Sequence, residues 1–97
     1  MAQIIEIVRF RLKPDTARET FVAKNKDIEQ SLLMKMPGII SRETGIADDG
    51  EVVVVLHWER PEEAQNSMDR FVANPATKDF TALLEMDTFT MTRFVKS

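Results

Sequence analysis

Residues 52–56 read Val-Val-Val-Val-Leu without interruption, and no other stretch so narrows what this chain can become. A strand with one face in water alternates apolar and polar residues. A β-branched run without that alternation is covered on both faces. The helices the remaining sequence can form suffice for one face of a small sheet. In a chain of 97 residues nothing is left for the other face, so a second copy of the same chain is the expected cover. A chain of this length fits one domain, residues 1–97, and alone buries only about two-thirds of its unfolded surface. A homodimer eases that shortage.

The flanking elements follow from pattern. Residues 3–12 read as a strand with Ile4, Glu6, Val8, Phe10 and Leu12 on one face and Ile5, Ile7, Arg9 and Arg11 on the other. Pro14 and Asp15 end it. Thr16 with Glu19 three residues on matches a capping box, and Ala17, Phe21, Ile28 and Leu32 share a helical stripe, so a helix is expected to about Met34, stopped by Pro37-Gly38. Residues 39–47 form a more polar strand, placed at an edge. Asp48-Asp49-Gly50 then turns the chain into the valine strand. Pro61, Glu62 and Glu63 suit the first turn of a second helix, with Ala64, Met68, Phe71 and Val72 on its buried side. Asn74-Pro75 interrupts it, and a short third helix carries Ala76, Phe80, Leu83 and Leu84. Residues 88–95 close the chain as a strand alternating threonines with Phe89, Met91 and Arg93. The order β-α-β-β-α-(α)-β predicts an α+β, ferredoxin-like fold with a four-stranded antiparallel sheet in the spatial order 4-1-3-2.

Composition excludes several function classes. The net charge of −3 comes from mixed, scattered charges with no basic stripe, which argues against nucleic-acid binding. No apolar stretch reaches the roughly 20 residues of a membrane span. The N-terminus lacks the basic start and apolar core of a signal peptide, so a cytoplasmic location is expected. Absence of cysteine removes disulfides and thiolate chemistry, and a single histidine makes a protein metal site a poor expectation. No cofactor-binding motif is present, and none is expected.

Several stretches, in order, carry a family likeness: Ile7-Val8-Arg9-Phe10-Arg11-Leu12-Lys13-Pro14; Met36-Pro37-Gly38-Ile39 leading to Ser41-Arg42; Asp49-Gly50; Trp58 followed by Glu62-Glu63-Ala64; and Asn74-Pro75 with Phe80 downstream. With these the chain resembles the dimeric α/β-barrel superfamily, within it the antibiotic-biosynthesis-monooxygenase-like group. The resemblance implies a homodimer whose two sheets close into a barrel, with a small pocket between sheet and helices in each subunit. Some relatives oxidise polycyclic phenols or quinols with molecular oxygen and neither metal nor flavin; others degrade haem. Haem-degrading relatives carry a histidine on the helix after the tryptophan strand, where Ser67 or Met68 stands here. Asn66 and Asn74 align with no catalytic asparagine, and Val52, Val54 and Leu56 occupy the strand that could carry a polar group into the pocket.

The candidate site residues each have two readings. His57 shares a face with Val53, Val55 and Glu59, opposite Trp58, and is either a base or ligand partner or a hydrogen-bonded residue of the dimer interface. Trp58 either stacks a flat ligand or anchors the second helix. Glu6 and Arg93 interrupt apolar strand faces, and a Glu6–Arg93 or Glu6–Arg42 pair would satisfy the buried charge. Alternatively Glu6, a carboxylate in apolar surroundings, is a base able to take a phenolic proton. Arg9, Arg11 and Arg42 are candidates for holding an anionic ligand group, against the ordinary reading of solvated or interface arginines, and Arg93 is a further candidate ligand-binding residue. Met68 and Phe80 are candidates for the apolar wall, although an aromatic cluster of Phe21, Phe71, Phe80 and Trp58 that filled the space would leave no site. These features support a homodimeric monooxygenase-like protein that binds a small apolar or aromatic molecule, with cofactor-independent oxidation as its chemistry. The rival is a non-enzymatic dimeric ligand-binding or interaction module.

Overall fold

In a computed structural model describing residues 2–97, the elements run β1 (Ile4–Leu12), α1 (Arg18–Ser31), a 3-10 turn (Leu33–Lys35), β2 (Ile39–Ile46), β3 (Val52–Trp58), α2 (Pro61–Ala73), α3 (Thr77–Thr81) and β4 (Leu84–Val95). All strands are antiparallel in the order β2-β3-β1-β4, the ferredoxin-like arrangement expected from the pattern. The most apolar strands, β1 and β3, take the centre, and the polar β2 takes an edge. Alternate residues of β3 (Val52, Val54, Leu56, Trp58) and of β1 (Ile4, Glu6, Val8, Phe10) are buried on one side, under the helices. Val53, Val55, His57, Ile5 and Ile7 stand on the opposite side and are only half-buried.

The core between sheet and helices is knitted by aromatic rings. Phe10 meets Phe21 and Phe80 edge-on, with centroids 5.8 and 6.4 Å apart, and Phe71 meets Phe80 edge-on at 6.1 Å. These offset geometries suit the ring quadrupoles. Phe21 has 0% exposure and ties α1 to the centre of the sheet.

The β2–β3 turn uses the Asp-Gly signal. Gly50 adopts φ 94°, a conformation glycine accepts freely, and its N–H donates to the Ala47 carbonyl at 2.9 Å. Asp49 accepts the Glu51 N–H at 3.1 Å and pairs with Arg11 of β1 at 2.8 Å. The Glu51 N–H and then Arg11 hold the Asp49 carboxyl below the usual carboxylate range. Its folded-state value being depressed, the contribution of this turn is present above the unfolded carboxylate range and is lost as acid carries the pH through the lower folded value.

Local expectations fail at three places. The Thr16–Glu19 capping box does not form: the cap residue is Ala17, and the Thr16 hydroxyl donates instead to the Leu83 carbonyl at 3.2 Å, tying the approach to α1 to the link between α3 and β4. Tertiary contact outcompetes the local cap. Helix α1 also stops at Ser31, and Leu33, Met34 and Lys35 continue as a 3-10 turn. Strand β4 starts at Leu84, four residues before the expected Thr88, because Leu84 pairs with Leu12 and Glu85 with Arg11. Pairing then jumps to Thr90 opposite Arg9, so residues 86–88 swell out as a wide bulge. Thr88 fills the gap with its side chain, accepting the Arg11 N–H at 2.8 Å and donating to the Glu85 carbonyl at 2.6 Å.

Replacing Phe21 with Ala removes the ring at the centre of this cluster and is expected to cost about 3–5 kcal/mol, read as a lowered urea midpoint at an unchanged slope.

Candidate functional site

Strand register sets the site. Glu6 on β1 stands opposite Leu56 on β3, Leu56 opposite Arg42 on β2, and Glu6 opposite Arg93 on β4. One row across the covered face of the sheet therefore reads Arg42–Leu56–Glu6–Arg93, a charged line in an otherwise apolar surface. Each end is bound to a helix. Arg42 donates to Glu29 Oε1 and to Asn25 Oδ1 of α1, both at 2.8 Å. Arg93 donates to Gln65 Oε1 of α2 at 2.8 Å and to the Ala64 carbonyl at 3.4 Å.

Glu6 is 3% exposed, and burying a carboxylate is tolerable only with partners. Arg93 Nε lies 2.6 Å from Glu6 Oε2, and Trp58 Nε1 donates to Glu6 Oε1 at a longer 3.4 Å. Of the two pairings left open by sequence, Glu6–Arg93 forms and Glu6–Arg42 does not. Adjacent strands lie about 4.8 Å apart, so two strand spacings separate Glu6 from Arg42, and Arg42 finds Glu29 closer at hand. Burial pushes the Arg42 guanidinium below its ordinary value, while the Glu29 hydrogen bond and charge pull it back up.

Above this row lies a cavity of about 530 Å³ between the sheet and α2, α3 and the start of β4. Val8, Phe10, Val54, Leu56 and Phe80 line it, together with Glu6, Arg42 and Trp58. The aromatic cluster does not fill the space, because Phe21 turns under α1 and takes no part in the lining. Met68 and Phe80 line it, as the helical spacing suggested. Val72, expected in the buried stripe of α2, is 73% exposed and stands at the cavity rim instead; Ser67, 8% exposed, takes a buried place on that helix. Arg93 does not line the cavity; it holds Glu6 from the side. His57 points to the other face of the sheet, so it and Trp58 serve different surfaces.

Sequence reasoning missed Gln65, Glu29 and Asn25, which fasten the ends of the polar row. Each sits on the outer, polar side of an expected helix, where only the fold reveals an inward-reaching side chain. It also missed Met86, thrown to the rim by the β4 bulge. Among the described residues, no group of three or more His, Cys, Asp or Glu is placed to hold a metal ion, and no helix is long and apolar enough to cross a membrane.

By sequence the chain matches no family model and no curated protein. By structure it matches known folds over nearly its whole length. It resembles SnoaB of Streptomyces nogalater, a cofactor-independent oxygenase, at TM-score 0.76 and 14% identity, covering 100% of this chain and 95% of that one. A conserved protein of Methanosarcina mazei gives TM-score 0.75 at 14% identity, with 100% and 95% covered. A Chloroflexus aurantiacus protein provisionally named an antibiotic biosynthesis monooxygenase gives 0.67 at 19% identity, with 98% and 93% covered. The ferredoxin-like fold expected from the sequence is thus the fold of the monooxygenase-like proteins.

Removing Arg93 while keeping Glu6 leaves a buried carboxylate with one weak partner. Arg93→Met is expected to destabilise by about 3 kcal/mol, the low end for buried pairs because Arg93 keeps a quarter of its side chain in water. Adding Glu6→Gln should recover part of that loss, and the coupling is read from a double-mutant cycle of urea midpoints.

Proposed function

We propose that this chain works as a homodimer, takes a small apolar or aromatic molecule into the cavity between sheet and helices, and oxidises a phenol or quinol with molecular oxygen without a cofactor. The observation that carries the reading is the cavity itself: about 530 Å³, mostly apolar walls, and one carboxylate in its lining. That is the usual make-up of a small-molecule site. A phenolic hydroxyl meeting Glu6 Oε1, which Trp58 holds only at 3.4 Å, would give up its proton there. The resulting phenolate is electron-rich and open to attack on oxygen. Arg93 keeps the carboxylate aimed, and Trp58 offers its ring as a wall for a flat ligand. SnoaB, whose fold this chain shares, is described as a cofactor-independent oxygenase, which lends support to the same chemistry here.

The dimer rests on the other side of the sheet. Ile5, Ile7, Val53 and Val55 lie there without a helix over them, and Phe94 is 48% exposed. A second sheet laid against that face would cover them and bury above about 1,000 Å², the range of stable interfaces. His57 then belongs to the interface and not to the cavity.

A second reading, binding without turnover in a dimeric ligand-binding module, draws on one feature: among the described residues Glu6 is the one acid lining the cavity, and both its oxygens are already engaged. Oxygen uptake with a panel of quinols separates the two. Turnover that falls at least tenfold in both Trp58→Ala and Glu6→Gln is the result expected of the oxygenase; a parent that binds quinols yet consumes no oxygen leaves the binding module. For the dimer, Val55→Asp is expected to shift sedimentation from two chains to one or to unfold the protein. A folded dimer carrying that charge would mean the interface lies elsewhere.

A further inference from the structure

The charges around the cavity are unequally satisfied. Glu6 is taken up by Arg93 and Trp58, and Arg42, whose side chain is 3% exposed, pairs through its two Nη atoms with Glu29 and Asn25, its buried Nε alone lacking a partner. Lys78 is the remaining charged side chain of the lining, and among the described residues it makes no ion pair and no side-chain hydrogen bond. Its neighbour Asp79 does not pair with it.

Lys78 is also held in place more firmly than a lysine on a loose loop. It lies on α3, whose start is fixed by the Thr77 hydroxyl, 2.7 Å from both the Phe71 and Asn74 carbonyls, and by Asn74 Oδ1, which accepts the Ala76 N–H at 2.9 Å. Two residues on, Phe80 is buried in the core. The rim beside Lys78 carries no other charge: Val72 and Met86 are well exposed, and the Thr81 hydroxyl donates to the Lys78 carbonyl. The lining is therefore mostly apolar, its buried charges Glu6 and Arg42 face partners within the fold, and one cation without an ion-pair partner stands on an anchored helix at the exposed margin.

We infer that the ligand class is an apolar or aromatic molecule bearing an acidic group, a carboxylate or its like, with the rings in the cavity and the anion at Lys78. A lysine ammonium is a compact charge on a flexible stem, able to follow such a group at the water boundary without desolvating it fully. A neutral molecule of the same shape would gain nothing from it. This inference rests on the cavity being the ligand site.

A matched pair of dyes tests it. 1-Anilinonaphthalene-8-sulfonate and N-phenyl-1-naphthylamine share the same ring systems, and only the first carries an anion. Fluorescence titration should show each binding once per chain and each displacing the other. Lys78→Ala should weaken the sulfonate dye about fivefold, the size of a rim ion pair, Lys78→Glu should weaken it further, and Lys78→Arg should preserve it. The neutral dye should change less than twofold throughout, and added salt should weaken only the sulfonate. If Lys78→Ala leaves the sulfonate dye unchanged, or weakens both dyes alike, the acidic-ligand inference is overturned while the cavity stands. If neither dye binds, or the two do not compete, the cavity reading falls and takes this inference with it.

Discussion

A carboxylate buried in the middle of an apolar sheet face governs the arrangement of this molecule. Glu6 cannot sit among Val8, Leu56 and Trp58 unless a cation and a donor come to it, and Arg93 and the Trp58 indole do so. That requirement fixes more than a pair. Arg93 is on the last strand and Glu6 on the first, so the contact pins the register of β4 on β1. The same guanidinium reaches Gln65 and the Ala64 carbonyl, which holds α2 over the sheet. At the opposite edge Arg42 does the same for α1 through Glu29 and Asn25. The helices are thus spaced at both ends by charged stems from the sheet, and the space between those stems is the cavity.

Such pairs are a poor source of net stability, since desolvation offsets most of the Coulomb attraction. Apolar packing around Phe10, Phe21 and Phe80 supplies the cohesion. The polar row supplies definition: a shifted strand or displaced helix would strand a buried charge without its partner. Apolar contacts alone penalise such errors less sharply, because one aliphatic neighbour serves nearly as well as another. An open cavity in so small a protein benefits from that division of labour, as walls free to collapse would fill the space.

Much of this was legible in the sequence, for identifiable reasons. The period-two pattern of residues 3–12 and the uninterrupted valines gave the central strands, and Asp49-Gly50 gave the hairpin, because strand faces and tight turns are written in local residue types. The interruption of apolar faces by Glu6 and Arg93 was visible too, and their pairing follows once β4 lies beside β1. What stayed hidden depends on contact between distant segments. Thr16 looks like a helix cap until Leu83 arrives beside it. Leu84 looks like the end of a helix until Leu12 claims it for a strand. Gln65 and Glu29 look like solvated helix positions until an arginine from the sheet reaches them. Nor does any local pattern say that Phe21 packs aside and leaves the pocket open.

The swelling of β4 at residues 86–88 separates two jobs along a single strand. Beyond it, the backbone is locked residue for residue to β1; within it, surplus chain is accommodated by the Thr88 hydroxyl standing in for a missing main-chain partner. Length and side-chain changes there can be absorbed locally, without dragging Arg93 from its post. The rim of the cavity at Met86 can therefore change its shape while the frame behind it stays put.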